Sequence, residues 1–245
     1  MPANDSDASR VLTVAVLGAQ GRMGRHSVAL LDAAPDFEVV AALGRGEVEL
    51  SRLARSGARL GLDLTVAGRG GEHGMLLLEA GLRPVIGTSG VTLEEECELD
   101  RAARELGLGG LIVPNFSAGI WLQQRAAEEA ARFFRRAEII ERHGIHKRDA
   151  PSATALDTAE RMARARDDLS AGTLPIHSVR LPGVLSNQEV SFGGRGEVLR
   201  LVHETYGREA FSAGILSALR YSAGAQGVGR GIGLAFEACG IPALD

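Results

Sequence analysis

The densest run of reactive side chains in the sequence is ERHGIHKRDAPSATAL, Glu141 to Leu156. It holds His143, His146, Lys147 and Asp149, then Pro151 and Ser152 where a helical pattern begins. Proline suits the first turn of a helix, and the amides that follow it attract anions. A lysine just ahead of such amides can clamp a carboxylate, and a histidine four residues earlier can deliver a proton. A polar strand-to-helix loop with capping residues would share part of this composition. Capping, however, needs neither two histidines nor a lysine.

A second pattern lies near the start, where VLTVAVL runs into GAQGRMG with Gly18, Gly21 and Gly24. Glycine there lets the backbone turn tightly and approach a pyrophosphate, whose charge is held at the N-terminus of the next helix. The spacing is G-x-x-G-x-x-G, so Gln20 stands where the commoner fingerprint has a glycine. A glycine-rich turn that binds nothing has the same composition, but its place at the head of a βαβ series favours a dinucleotide. An NAD-selective site places an acidic residue after the second strand. Here that strand ends Leu43, Gly44, Arg45. A guanidinium suits a 2′-phosphate, although Arg45 reads equally as a solvated surface arginine.

The elements that must position these groups follow from periodicity. From Val11 to about Val113, short β-branched runs alternate with helical stretches, as in βαβ units on a parallel sheet. Strands are expected at Val11 to Leu17, Glu38 to Leu43, Leu62 to Val66, Pro84 to Gly87 and Gly110 to Val113, with helices at Met23 to Ala33 and Leu93 to Leu106. The glycine-rich VAGRGGEHG after the third strand reads as a loop. Beyond PNFSAG come a long helix (Ile120 to Arg135), a strand (Ala137 to His143) and a helix from about Ser152 to Arg166. Strand-like runs follow at Pro175 to Leu181, Gln188 to Gly193 and Glu197 to His203, a mostly antiparallel sheet. The helix Phe211 to Tyr221 can return to the first domain. The fold class is α/β, with an N-terminal Rossmann-type parallel-sheet domain (11–114 with 208–245) and a smaller α+β substrate and oligomerisation domain (115–207).

Bulk properties narrow the function. The 245 residues are 45% hydrophobic and 24% charged, with 27 Lys+Arg against 31 Asp+Glu and a net charge of −4. That balance asks for neither nucleic acid nor an anionic membrane as partner. Cys97 and Cys239 show no metal-ligand spacing, so neither a disulfide frame nor a bound metal is expected, and a reducing, cytoplasmic setting fits. The opening MPANDSDASR has no apolar stretch of the secretory type and reads as a disordered tail, residues 1–10. No apolar run approaches the roughly 20 residues a membrane-spanning helix needs, so a soluble protein is expected.

Taken together, VLGAQGRMGR, VIGTSG, VPNFSAG, EIIERHGIHKRDAPSATA and HSVRLPGVLSNQEVSFGGRGEVLRLVH resemble the dihydrodipicolinate reductase family in the right order and over nearly the whole chain after residue 10. The specific element is E-x-H-x-x-x-K-x-D-A-P-S, from Glu141 to Ser152. The resemblance implies hydride transfer from NADPH or NADH to a cyclic dicarboxylate, in a homotetramer built through the sheets of the smaller domains. It places Gly18, Ala19, Gln20, Gly21, Arg22 and Met23 at the pyrophosphate and Arg45 at the adenosine end. Gly87, Thr88 and Ser89, with Val113, Pro114, Asn115 and Phe116, would surround the nicotinamide. His143 would be the general acid and Lys147 the second donor and carboxylate anchor, with the Ser152, Ala153 and Thr154 amides holding a substrate carboxylate.

Four positions depart from the family pattern. Gly144 replaces a second histidine on the substrate side, and Ala153 replaces a glycine. Ser89 replaces a threonine, and Gly44 stands where an acidic residue is common. The substrate-side changes leave open a same-fold reductase or dehydrogenase for a different cyclic imine or amino acid. A nucleotide-binding regulator without turnover is the other class, and intact His143 and Lys147 argue against it.

Overall fold

A computed structural model describes residues 11–44, 46 and 48–240. The expectations for residues 1–10 and for Arg45 lie outside these described residues. In chain order the elements are β1 (Leu12–Leu17), α1 (Arg22–Ala33), β2 (Phe37–Leu43), α2 (Leu50–Ala54), β3 (Leu60–Asp63), α3 (Gly70–Glu79), β4 (Arg83–Ile86), α4 (Leu93–Glu105) and β5 (Gly109–Ile112). Then follow α5 (Ala118–Ala131), β6 (Arg136–His143), α6 (Ala153–Arg164), β7 (Ile176–Arg180), β8 (Ser186–Gly194), β9 (Glu197–His203), α7 (Ser212–Gly224), β10 (Gly227–Arg230) and α8 (Gly233–Cys239). The chain divides into two compact units, one holding the described residues up to Phe116 and from Ser212 onward, the other Ser117–Phe211.

In the first unit six strands pair in the order β10-β5-β4-β3-β1-β2, every pair parallel. Val14, Ala15, Val16 and Leu17 of β1 are fully buried, as expected of a strand covered on both faces, where a continuous apolar run replaces alternation. The third strand is shorter at its far end than its sequence suggests. Asp63 Oδ1 accepts hydrogen bonds from the backbone N and the hydroxyl of Thr65, 3.0 and 2.6 Å away, and this side-chain turn ends β3.

The expected glycine-rich loop is only half a loop, because α3 begins within it at Gly70. A Cβ on Gly70 would stand 2.6 Å from Val91 Cγ2, and one on Gly74 would stand 2.8 Å from Leu99 Cδ2. The glycines let α3 press against its neighbours, and that packing overrides their poor helix propensity. The sixth strand, β10, was not foreseen. Two of its four residues are glycine, which carries no strand signal, and it is recruited by pairing with β5.

The second unit carries a sheet ordered β7-β6-β8-β9, with β6 and β7 parallel and the other two pairs antiparallel. Ile139, Val190 and Phe192 on its inner face pack with Ala127 and Ala131 of α5 and Ala155, Ala159 and Met162 of α6. Burial along β6 alternates, with Ile139, Glu141 and His143 turned inward. One strand face therefore passes from apolar to ionisable as it leaves the core.

Gly214, in the first turn of α7, lies so close to the Phe116 carbonyl that a Cβ would come within 1.9 Å of its oxygen. In an exposed helix, Gly→Ala stabilises by roughly 0.5–1 kcal/mol. Here Gly214→Ala should instead destabilise the protein by about 1–3 kcal/mol, the usual cost of overpacking. Urea unfolding checks the sign, and a raised midpoint would show that α7 can back away from Phe116.

Candidate active site

In the first unit, the segments after β1, β3, β4 and β5 stand side by side at the carboxyl ends of neighbouring strands, where open α/β sheets bind their ligands. Gly18 has φ +77°, and a Cβ on it would lie 2.6 Å from the Leu64 carbonyl oxygen. A Cβ on Gly24 would lie 2.1 Å from the Gly18 carbonyl oxygen. Only glycine permits this cradle. Helix α1 opens at Gly21 with no side-chain cap and no acidic residue in its first turn, among the described residues. Its N-terminus is thus suited to an external anion.

Beside the cradle is a cavity of about 780 Å3 lined by Gly18, Gln20, Gly21, Gly44, Gly46, Glu49, Thr65, Arg69 and His73 among others. That volume is in the usual range for a ligand site, about 300–1,000 Å3. Cradle and cavity fit a dinucleotide. The sequence reading placed no carboxylate on this wall, yet Glu49 supplies one just before α2. It also missed Thr65 and His73, which the Asp63 turn and the start of α3 bring to the cavity. Gly87 and Phe116 meet at the strand ends, since a Cβ on Gly87 would lie 2.6 Å from the Phe116 ring. Thr88 and Val113 are buried in the same region, with Ser89, Pro114 and Asn115 adjoining them in sequence.

In the second unit, strand register assembles the ionisable cluster. Glu141 is opposite Ser178 on β7 and Gln188 on β8, while His143 is opposite Arg180 and Ser186. Residues two apart on a strand share a face, so Glu141 and His143 lie together. The Glu141 carboxylate is fully buried. Oε1 accepts from Arg180 Nη2 at 2.9 Å and from the Ser152 amide at 3.3 Å, and Oε2 accepts from Arg180 Nη1 at 2.9 Å. His143 Nδ1 lies 2.5 Å from Oε2, and its Nε2 lies 3.2 Å from Ser186 Oγ.

Burial alone would raise the Glu141 pKa, but the hydrogen bonds from Arg180, Ser178 and His143 outweigh it and bring the carboxyl down to about 2. The His143 pKa is also lowered, but here burial dominates and favours the neutral ring. Burial pushes its pKa below the ordinary histidine value, Glu141 pulls it back up, and the charges of Lys147 and Arg180 lower it.

The Arg180 guanidinium reaches further. Its Nε donates to the Lys147 carbonyl at 3.3 Å and its Nη2 to the Asp149 carbonyl at 2.6 Å, which fixes the loop after β6. Within that loop the Lys147 amide closes a turn onto the Gly144 carbonyl at 3.1 Å, and Lys147 Nζ pairs with Asp149 Oδ2 at 2.8 Å. The loop ends at Ser152, which is the cap residue of α6, so Pro151 precedes the helix and does not sit in its first turn. The Ser152 hydroxyl accepts from the Ala155 amide at 3.2 Å, with Ala153 and Thr154 opening the helix. His146 is exposed.

The family model for the N-terminus of dihydrodipicolinate reductase matches residues 12–116, and that for its C-terminus matches residues 119–232. The chain belongs to the dihydrodipicolinate reductase family. It is 40% identical to the 4-hydroxy-tetrahydrodipicolinate reductases of Lactococcus lactis subsp. cremoris, over 85% of this chain and 91% of that protein, and of Moorella thermoacetica, over 85% and 92%. Among solved structures, the dipicolinate-bound dihydrodipicolinate reductase from Paenisporosarcina sp. TG-14 superposes with a TM-score of 0.75 at 31% identity, covering 91% of this chain and 98% of that one.

For a dihydrodipicolinate reductase, the two residues most deeply tied to His143 are Glu141, which heads the motif but had no role assigned to it, and Arg180, which lies outside the motif. Glu141 was accessible to sequence reasoning, because strand alternation places it beside His143. Arg180 was not, since its contact depends on parallel pairing across 39 positions.

The depressed Glu141 value links the site to stability. Unfolding restores the ordinary carboxyl pKa, 4.5, so Glu141's contribution is complete above that value and is lost as pH falls from 4.5 toward about 2. Denaturant midpoints should therefore drop across this interval in the wild type. Glu141→Gln should lack that component and be less stable at neutral pH by about 3–5 kcal/mol, the cost of breaking a buried pair. An undiminished acid slope in Glu141→Gln would assign the loss to other carboxylates.

Proposed function

We propose that the chain reduces 4-hydroxy-tetrahydrodipicolinate, or dihydrodipicolinate, to tetrahydrodipicolinate in lysine (diaminopimelate) biosynthesis. The observation that carries the reading is the buried Glu141–His143–Arg180 cluster joined to the Lys147 loop and the start of α6, in a chain that both halves of the family model match. The first unit's cradle and cavity bind NADPH or NADH, with Gly18 to Met23 at the pyrophosphate and Gly87 to Ser89 and Val113 to Phe116 around the nicotinamide. When bound, the reduced dinucleotide supplies a hydride.

The chain's own residues supply the rest. Lys147 and the amides opening α6 take a substrate carboxylate, which requires Asp149 to give up the ammonium it holds at 2.8 Å. The 4-hydroxy compound loses its hydroxyl as water to give dihydrodipicolinate, and His143 delivers the proton that, with the hydride, completes reduction of the ring double bond. Although burial disfavours the imidazolium, a bound dicarboxylate adds negative charge beside His143 and favours it. Gly144 leaves the substrate side without a second imidazole, which weakens binding more than chemistry. Ala153 is less consequential. No described non-glycine residue has positive φ, so its methyl group is unstrained.

The protein works as a cytoplasmic homotetramer in this proposal. The outer face of the second sheet is where copies would meet, and Val198 and Val202 lie on it 62% and 57% exposed.

The test is NADPH or NADH oxidation with enzymatically generated substrate. Wild type should turn over with both cofactors. His143→Ala and Lys147→Ala should each lower kcat about 100-fold or more, as loss of a general acid or a charge-stabilising donor commonly does, while cofactor affinity stays unchanged. Turnover by neither cofactor in the wild type would move the pocket to another cyclic imine.

A further inference from the structure

We propose that Glu141 and Arg180 are positioning residues for proton transfer, holding the His143 ring proton on Nδ1 so that Nε2 is the atom that exchanges a proton with the substrate. This rests on the reading of His143 as the proton donor. The geometry is one-sided. Glu141 Oε2 is 2.5 Å from Nδ1, and an ionised carboxylate can only accept, so Nδ1 carries a hydrogen whether the ring is neutral or charged. In the neutral ring the lone pair is therefore on Nε2. The group facing Nε2 is the Ser186 hydroxyl at 3.2 Å, which donates to a bare nitrogen or accepts from a protonated one by rotating its own hydrogen. The surroundings thus tolerate both charge states at Nε2 and only one at Nδ1.

Arg180 makes that arrangement durable. A fully buried carboxylate beside an imidazole would otherwise rise in pKa and share the ring proton, and the bidentate guanidinium keeps it ionised. The same guanidinium holds the Lys147 and Asp149 carbonyls, so the proton donor and the carboxylate anchor are placed by one side chain. The charged groups around His143 are Glu141 on its own strand, Arg180 on β7, and Lys147 and Asp149 in the following loop. β8 presents the uncharged Ser186. Of the charges that act on the ring, Glu141 favours the imidazolium through direct contact and Asp149 favours it through space, while Lys147 and Arg180 oppose it. Asp149 is paired with Lys147. Replacing the carboxylate by a neutral amide therefore makes His143 a stronger acid.

The direct test is 15N NMR of the histidine side chains in the full wild-type chain. With His143 neutral, its Nδ1 should resonate as a protonated nitrogen and its Nε2 as a bare one, and the opposite pattern overturns the proposal. The kinetic test is Glu141→Gln, whose amide oxygen can still accept from Nδ1 but carries no charge. The alkaline limb of its kcat/KM profile should move to lower pH, whereas a merely structural role would lower activity at all pH values and leave the limb in place. If Glu141→Gln does not fold, Arg180→Lys with the same two readouts keeps the charge and removes the fork, and an unchanged limb with an unchanged tautomer then removes Arg180 from the assignment. The NMR readout needs no substrate. A chain with the Nδ1–H tautomer that fails to oxidise NADPH would sink the substrate reading alone, and a competent reductase with the Nε2–H tautomer would sink this inference alone.

Discussion

The buried Glu141 carboxylate is the constraint on which the second unit's chemistry depends. A charge removed from water costs several kcal/mol unless excellent partners replace the solvent. Its partners come from three places in the chain: Arg180 and Ser178 of β7, the His143 imidazole on the same strand and the Ser152 amide that opens α6. Satisfying one carboxylate thus fixes the orientation of a titratable ring, the start of a helix and the strand that carries the arginine. The loop with Lys147 is then tied to the same guanidinium through two carbonyls. The cost of burying Glu141 is thereby converted into preorganisation of a site that would otherwise be a flexible polar loop.

The first unit solves a different problem by steric means. One charged side chain braces the turn from outside, with Arg25 Nη1 donating to the Gln20 carbonyl at 2.6 Å. The cradle itself relies on backbone approaching backbone, at Gly18 against Leu64 and at Gly24 against Gly18. The backbone is bare there, as amides that are to meet an anion require, and at Gly18 and Gly24 a Cβ would foul a carbonyl, so no other residue fits. The wall of the adjoining cavity is more varied, with Glu49, Arg69 and His73 among its lining residues.

What the sequence makes legible follows from which interactions are local. The strand β6, the glycine turn after β1 and the start of a helix near Ser152 are set by residues within a few positions of each other and can be read directly, although the sequence put Pro151 inside that helix and the structure makes Ser152 its cap. The α/β class follows from the same local periods. The misread stretch after β3 is instructive. Its glycines read locally as loop formers, yet at Gly70 and Gly74 they serve close packing of a helix, which is a tertiary property. β10 has no signal of its own and exists because β5 offers an edge. Arg180 likewise looks like any strand arginine until β7 is laid parallel to β6. The family resemblance supplied His143 and Lys147 as a pair. Only the strand register explains why that histidine and not the exposed His146 has a carboxylate behind it.

In the proposed function, the Glu141 cluster, Lys147 and the start of α6 form one dicarboxylate-binding, proton-delivering site. A crystal structure of this chain with dipicolinate tests it most directly. One carboxylate should contact Lys147 Nζ and the first amides of α6, with Lys147 released from Asp149 and the ring within hydrogen-bonding reach of His143 Nε2. Dipicolinate bound elsewhere, with the Lys147–Asp149 pair intact, would contradict the account.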